Sequence, residues 1–206
     1  MKYAYKNGKI LNGTKDMQVQ TGLTILTEGE KIAAIVPEEM RLSGYTKVDL
    51  QGKYIMPGLI NMHVHLAGNG KPQKKQRDNA KLVKTLMSNR ISRAIAYRMV
   101  AGFAKDELLS GVTTIRTVGG LGTFDTRLRD EIKAGKKTGP RILAANEGIS
   151  VPGGHMAGSV AIAAESIDAA VAHVDEAKRE NVNLIKLMIT GGVLDCLLYT
   201  SPSPRD

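Results

Sequence analysis

The sequence predicts an α/β protein, a partial (β/α)8 TIM-like barrel of about four βα units preceded by a small all-β module. Three observations predict it. The first 55 residues are rich in short strands and turns. From Pro57 onward apolar strand-like runs alternate with helical stretches. The Gly pairs at 119, 153 and 191 recur after 34 and 38 residues. Each pair follows the end of a strand, where backbone must bend sharply beside a site. Repeated strand–loop–helix units of that length build a parallel sheet or a barrel. A complete barrel typically needs ~250 residues. Residues 57–195 supply about half of one.

The elements follow in order. Asn7-Gly8 between Tyr3–Tyr5 and Ile10–Leu11 signals a hairpin. Leu23–Leu26 and Ile32–Val36 flank Glu28-Gly29-Glu30 as a second hairpin, and Val48–Leu50 and Lys53–Met56 flank Gln51-Gly52 as a third. The apolar run Leu59–Leu66 reads as the first barrel strand. A long helix is expected over about 80–109, with Leu82, Leu86, Ile91, Ile95 and Met99 near one face. Val112–Val118 is β-branched and reads as a strand, followed by a helix near 125–134 and a strand over Arg141–Ile149. Ser166 is a plausible N-cap for a helix with Ile167, Ala170, Val171 and Val174 on one face. A last strand, Leu184–Thr190, ends in Gly191-Gly192.

Composition narrows the function classes. The 206 residues are 42% hydrophobic and 24% charged, so a core can be buried. No apolar run reaches the roughly 18–20 residues of a membrane span, and the N-terminus lacks the apolar stretch of a secretory signal. One cysteine excludes a disulfide framework or a Cys-based zinc module, and a cytoplasmic protein is expected. The net charge of +9 is concentrated: Lys71, Lys74, Lys75, Arg77, Lys81 and Lys84 offset only by Asp78. With no Trp and two Phe, base-stacking platforms are missing, so the segment reads as a solvated loop and helix start rather than a nucleic-acid footprint. Neither nucleic acid nor membrane is expected as a partner; a small-molecule substrate is.

The last eleven residues, Cys196 to Asp206, resemble the translation of a transposase sequencing adapter and are expected to be a non-native tail. The expected organisation is then 1–56 as the β-module, 57–195 as the first half of the barrel, and 196–206 as the tail. Removing that tail leaves the net charge unchanged and takes away the cysteine.

Four residues carry candidate chemistry. His63 and His65 stand two apart on a predicted strand, so their side chains share a face and can close on one metal ion. Strand histidines can equally be satisfied core residues. Lys186 lies in the otherwise apolar Leu184–Ile189, where a lysine is rarely buried unpaired. It can snorkel from the strand end. Alternatively it faces inward, where a desolvated amine loses protons easily and can take up carbon dioxide as an anionic carbamate ligand. His155 sits in the Gly-rich loop Pro152-Gly153-Gly154 and can polarise a carbonyl or bind a substrate carboxylate, or be a plain loop histidine. His173 lies off its helix's apolar stripe and is expected to be exposed.

Taken together, Met56-Pro57-Gly58-Leu59-Ile60-Asn61-Met62-His63-Val64-His65 resembles the N-terminal signature of the amidohydrolase superfamily. Gly111–Arg116, Gly139–Leu143, Gly153-Gly154-His155 and Ile185–Met188 are similar to its imidazolonepropionase-like and Xaa-Pro dipeptidase-like branch. The resemblance covers essentially all of 1–195. It implies a distorted (β/α)8 barrel with a β-sandwich domain assembled from both chain ends, and one or two divalent ions, zinc above all. On this resemblance His63 and His65 bind the more buried ion and a carboxylated Lys186 bridges two, while His155 stays the candidate substrate-binding residue by its place in the loop. The family adds histidines on strands five and six and an aspartate on strand eight, none of which occurs in 1–195. Thr117 stands where relatives often carry an acidic residue.

The implied activity is metal-assisted hydrolysis of an amide, cyclic amide or dipeptide by activated water, with the aspartate as general base. The 206-residue chain, lacking that aspartate, is expected to be inactive by itself. Ester or lactone hydrolysis, ring deamination, or a metal-free scaffolding role are the alternatives. Assembly into a homo-oligomer stays open.

Overall fold

A computed structural model describes residues 1–68, 70 and 78–189, and the chain divides into two compact units, Met1–Gly58 and Leu59–Asp206. The expected Gly191-Gly192, the tail 196–206, and Lys71, Lys74, Lys75 and Arg77 of the basic segment lie outside the described residues.

The first unit holds β1 (Lys2–Lys6), β2 (Lys9–Ile10), β3 (Leu23–Glu28), β4 (Lys31–Pro37), β5 (Thr46–Asp49) and β6 (Tyr54–Ile55). They form a four-stranded sheet in the order β4-β3-β1-β5 and a two-stranded sheet of β2 and β6. The second expected hairpin is there: β3 and β4 pair antiparallel across Gly29, which adopts φ 61° in the turn. The first and third are not. β1 pairs with β3 and, in parallel, with β5, whereas β2 pairs in parallel with β6.

Asn7-Gly8 and Gln51-Gly52 therefore do not reverse the chain. Each bends it from one sheet into the other, and the two bends lie side by side. Leu50 N–H donates to Lys6 O at 2.9 Å, Gly52 N–H to Asn7 O at 2.7 Å, and Lys9 N–H to Lys53 O at 3.0 Å. The positive φ values of Asn7 (54°) and Gln51 (53°) that suggest hairpin turns serve the corner instead. The Asp49 carboxylate holds it, accepting from Asn7 Nδ2 at 3.1 Å and from Gln51 N–H at 2.9 Å. A side chain at position 8 would begin 2.4 Å from Leu50 Cδ1, so any larger residue there has to displace the Leu50 side chain.

The second unit begins with β7 (Leu59–Val64), followed by α1 (Asn79–Leu86), α2 (Arg90–Leu109), β8 (Val112–Thr117), α3 (Phe124–Lys133) and β9 (Arg141–Leu143). It continues through β10 (Gly148–Ser150), β11 (Ala161–Ala163), α4 (Ile167–Arg179) and β12 (Leu187–Met188). β7, β8 and β9 form a parallel sheet in that order; β11, β10 and β12 form a second one, also parallel. Parallel neighbours joined through helices are the βα repeat expected of a partial barrel.

Several expectations need correction. The helix expected over 80–109 is two helices. Asn89 stops the first and caps the second, its side chain accepting from Ile91 and Ser92 N–H while Ser92 Oγ accepts from Asn89 N–H. The expected apolar face of α2 is the wrong one. Ile91 is 77% exposed and Ile95 and Met99 are also exposed, whereas Ala96, Tyr97, Val100 and Ala104 are buried. The inward face combines two alanines, which let the helix approach closely, with Tyr97 and Val100, and the larger aliphatic stripe faces away. The same holds for α4: the Ser166 cap is as expected, its hydroxyl accepting from Ala169 N–H, but Ile167, Val171 and Val174 are exposed and Ala177 is buried.

The strand expected over Arg141–Ile149 is broken into β9 and β10 at Asn146, which adopts φ 57°. β9 pairs with β8, while β10 pairs with β12. The backbone freed at the break is satisfied by Asn183: its N–H donates to Ala144 O at 2.8 Å and its Oδ1 accepts from Ala144 N–H at 2.9 Å. The final strand is shorter than expected among the described residues, reduced to Leu187–Met188. His173 is half-buried rather than exposed, its charge acting on Glu147, whose carboxyl is pushed up mainly by burial.

The core of this unit lies between the first parallel sheet and its helices. Ile115 and Ile142 from the sheet meet Val100 and Ala104 of α2 and Phe124 and Leu128 of α3. Each fully buried side chain of this kind contributes roughly 1.5–3 kcal/mol. Tyr97 packs its ring edge-on to Phe124 at 5.2 Å and donates its hydroxyl to Glu131 at 2.8 Å. No described helix is long and apolar enough to cross a membrane.

Candidate functional site

His63 lies in β7 and His65 directly follows its last residue, and their rings come together as the two-residue spacing predicts. Their ring centroids are 5.3 Å apart and the rings meet edge to face at 65°. Both line a cavity of about 350 Å³ together with Asn61, Leu66, Phe103 and Asp106. His63 is exposed and His65 half-buried.

His65 is the better anchored of the two. Its Nδ1 lies 3.1 Å from the Gly119 carbonyl, just past the end of β8. A carbonyl only accepts, so the proton sits on Nδ1 and the lone pair of Nε2 is free for a ligand. Gly119 adopts φ 135°, and a side chain on it would meet the imidazole Cε1 and Nδ1 at 3.2 Å. The glycine is what lets backbone approach the ring this closely. Burial pushes the His65 imidazole below its ordinary pKa, against the Gly119 hydrogen bond, and the charges of His63, Lys186 and His155 add to that lowering. The neutral ring that results is the form a metal ion needs.

Lys186 immediately precedes β12 and is half-buried. Its carbonyl accepts from Ile149 N–H at 2.8 Å, joining it to β10, and its Cγ lies 3.3 Å from where a side chain on Gly148 would begin. Its charge is among those felt by His65. His155 is half-buried in the turn after β10 and is likewise close enough to influence His65. The charges of the other three candidates are thus felt at His65. Among the described residues no group of three or more His, Cys, Asp or Glu side chains could hold a metal ion. Two imidazoles with ring centroids this close offer nitrogen donors of the kind a divalent ion takes.

A second cavity, also about 350 Å³, shares His65 with the first. Its walls are mainly apolar, formed by Leu82, Val83 and Leu86 of α1 with Leu121, Met156 and Val160.

Sequence reasoning missed the group behind the Gly pair. Asp125 on α3 is 1% exposed, and neither carboxylate oxygen has a hydrogen-bond partner of ordinary length among the described residues. Burial pushes its carboxyl up to about 6, against a lowering by the Thr117 hydroxyl. Nothing in the local pattern distinguishes Asp125 from a solvated first-turn acid on a helix, which is where acids are ordinarily favoured. Asn146 was missed as well. It is buried, accepts from Thr126 N–H at 3.0 Å, and donates to Thr126 Oγ1 and to Glu180 Oε2.

Comparison with known proteins gives a consistent set. A dihydroorotase of Bacillus pumilus (strain SAFR-032) is 41% identical over 75 residues, 36% of this chain and 17% of that protein. A Xaa-Pro dipeptidase with bound methionine superposes with a TM-score of 0.71 at 27% identity, over 95% of this chain and 48% of its own. A prolidase complexed with N-methylphosphonate-L-proline superposes with a TM-score of 0.80 at 22% identity, over 98% of this chain and 51% of its own, a likeness of fold. The chain spans about half the length of these solved structures. The model of the amidohydrolase family matches residues 54–202, well over half of the sequence, a span that includes His63, His65, His155 and Lys186. The chain belongs to the amidohydrolase family.

Proposed function

We propose that this chain is the N-terminal part of a metal-dependent hydrolase that cleaves a C–N bond in an amide, cyclic amide or dipeptide. The observation that carries the proposal is the His63–His65 pair, with the His65 proton committed to Gly119 and its Nε2 left open. His63 and His65 would hold a divalent ion, zinc in the first instance, and Lys186, as its carbamate, would complete the set. Such an ion supplies Lewis-acid polarisation of a carbonyl and makes water a nucleophile near neutral pH.

The chain's own residues would do the rest. The Gly119 carbonyl fixes the tautomer and the ring plane of His65. Desolvation keeps that ring neutral. His155 would orient the substrate by hydrogen bonding to its carbonyl or carboxylate. The apolar cavity beside His65 has room for an uncharged side chain next to the bond that breaks. The likeness to a dihydroorotase and to a Xaa-Pro dipeptidase supports a cyclic amide or a dipeptide as the substrate class. We also propose a cytoplasmic enzyme that acts on a small molecule, and that the 206-residue chain is inactive by itself.

The test compares this chain with the polypeptide encoded by the uninterrupted gene. Both are purified and measured for zinc content and for hydrolysis of dihydroorotate and a series of Xaa-Pro dipeptides. The longer protein should hydrolyse one of these with zinc bound, and His63→Ala or His65→Ala should abolish both zinc and activity. Full activity in a metal-free preparation of the longer protein would refute the proposal.

A further inference from the structure

The Gly119–Gly120 turn is sandwiched between two polar side chains that the sequence keeps 60 residues apart. On one side, the backbone of Gly119 lies against the His65 imidazole and takes its Nδ1 proton. On the other, the carboxyl of Asp125 lies against Gly120. A side chain at position 120 would begin 2.6 Å from Asp125 Oδ2, 2.9 Å from its Cγ and 3.0 Å from its Oδ1. No other residue type could stand there without moving the carboxyl.

Burying a carboxyl group with no polar partner beyond the Thr117 hydroxyl among the described residues is costly, and an apolar residue of similar size would be tolerated in the core at no such cost. Asp125 is nonetheless fully enclosed, on the first turn of a helix whose neighbours Phe124 and Leu128 are ordinary core residues. Its position explains what that cost provides. Helix α3 is anchored by its core side chains, so the carboxyl is a fixed stop behind a turn that has no side chains of its own. A Gly-Gly pair without such a stop has wide conformational freedom, and its carbonyl would not hold one direction.

We propose that Asp125 is a positioning residue for the His65 imidazole, acting through the Gly119–Gly120 turn that its carboxyl backs. The carboxyl keeps the Gly119 carbonyl aimed at Nδ1, and the carbonyl keeps the ring in the tautomer that presents Nε2 to the cavity. The proposal concerns the metal-free ring, so it stands or fails apart from the reading of the site as a metal centre.

The experiment reads the His65 tautomer in the 206-residue chain by ¹⁵N–¹H correlation of the imidazole nitrogens, at a pH where the ring is neutral. The parent should show the Nδ1–H form. Asp125→Ala should shift His65 toward the Nε2–H form favoured by a free imidazole, and Asp125→Asn, which keeps shape and hydrogen-bonding capacity, should restore the parent pattern. Gly120→Ala pushes the turn from its other side and should give the same shift with Asp125 intact, so the test survives if Asp125→Ala does not fold. Val100→Ala on α2 weakens the same core without touching α3 or the carboxyl and should leave His65 unchanged. Zinc affinity should fall about 10-fold in Asp125→Ala, the low end of losses seen when groups behind metal-ligating histidines are removed. An unchanged tautomer in both Asp125→Ala and Gly120→Ala overturns the proposal. So does an equal shift in Val100→Ala, which would make the effect one of general stability.

Discussion

The two parallel sheets of the second unit carry the two halves of the candidate site in unlike ways. The sheet of β7, β8 and β9 is backed by a continuous core, and its histidine has a hydrogen-bonded partner across the sheet. The sheet of β11, β10 and β12 consists of strands of two or three residues, and α4 contributes one buried side chain, Ala177. His65 is therefore held by architecture, whereas Lys186 is held by one backbone hydrogen bond and by its place beside Gly148. The difference teaches that the candidate residues of one site need not be equally preorganised.

That contrast can be broken by substitution. The largest effect is expected for Leu128→Ala, which empties a fully buried position under the first sheet and should cost about 2–5 kcal/mol in urea unfolding. A cost below about 1 kcal/mol would mean that this core is not the rigid half.

Asp125→Asn should act in the opposite direction and only above a certain pH. The folded chain holds the Asp125 proton up to about pH 6, while the unfolded chain releases it near 3.8. Stability therefore declines as pH rises through that window and stays reduced above it. The asparagine removes the penalty, about 3 kcal/mol at pH 7, and should leave stability at pH 3 unchanged. Equal stabilisation at both pH values would show that the carboxyl is not the source.

Next in size are the ligands. His65→Ala should weaken zinc binding by about 100-fold in calorimetric titration, whereas Lys186→Met in this chain should weaken it by about 10-fold or less. The reverse order would overturn the comparison. The parent should also lose stability as pH falls below about 6.5, because the unfolded His65 takes up a proton that the buried, neutral ring resists. His65→Gln should flatten that acid limb.

The smallest effect is expected for Val171→Ala on α4, within about 0.5 kcal/mol, because that side chain is exposed.

The order of elements and the histidine pair were legible from residue pattern because they rest on period and spacing. Two imidazoles two residues apart share a face on any strand, and Ser166 caps a helix wherever one follows it. What was not legible depended on three-dimensional neighbours. Ile91, Ile95 and Met99 have helical spacing, yet the buried face is that of Ala96, Tyr97, Val100 and Ala104. Asn146 breaks an apolar run through a left-handed backbone that its buried side chain stabilises by bonds to residues 20 and 34 positions away. Asp125 matters through contact with a glycine, and a glycine leaves no trace of which side chain fills the space beside it.

The twin corners of the first unit have a kinetic consequence. The hydrogen bonds at Gly52, Leu50 and Lys9 join stretches that lie more than 40 residues apart, so neither bend can be held until both ends of the unit have met. Closing a loop of that length must precede the contacts that reward it, which slows assembly compared with the local β3–β4 turn. The β3–β4 ribbon should thus be the first ordered part of this unit, and the corner the last. In native-state hydrogen exchange the amides of Leu50, Gly52 and Lys9 should open together as one cooperative event, although the chain separates them widely.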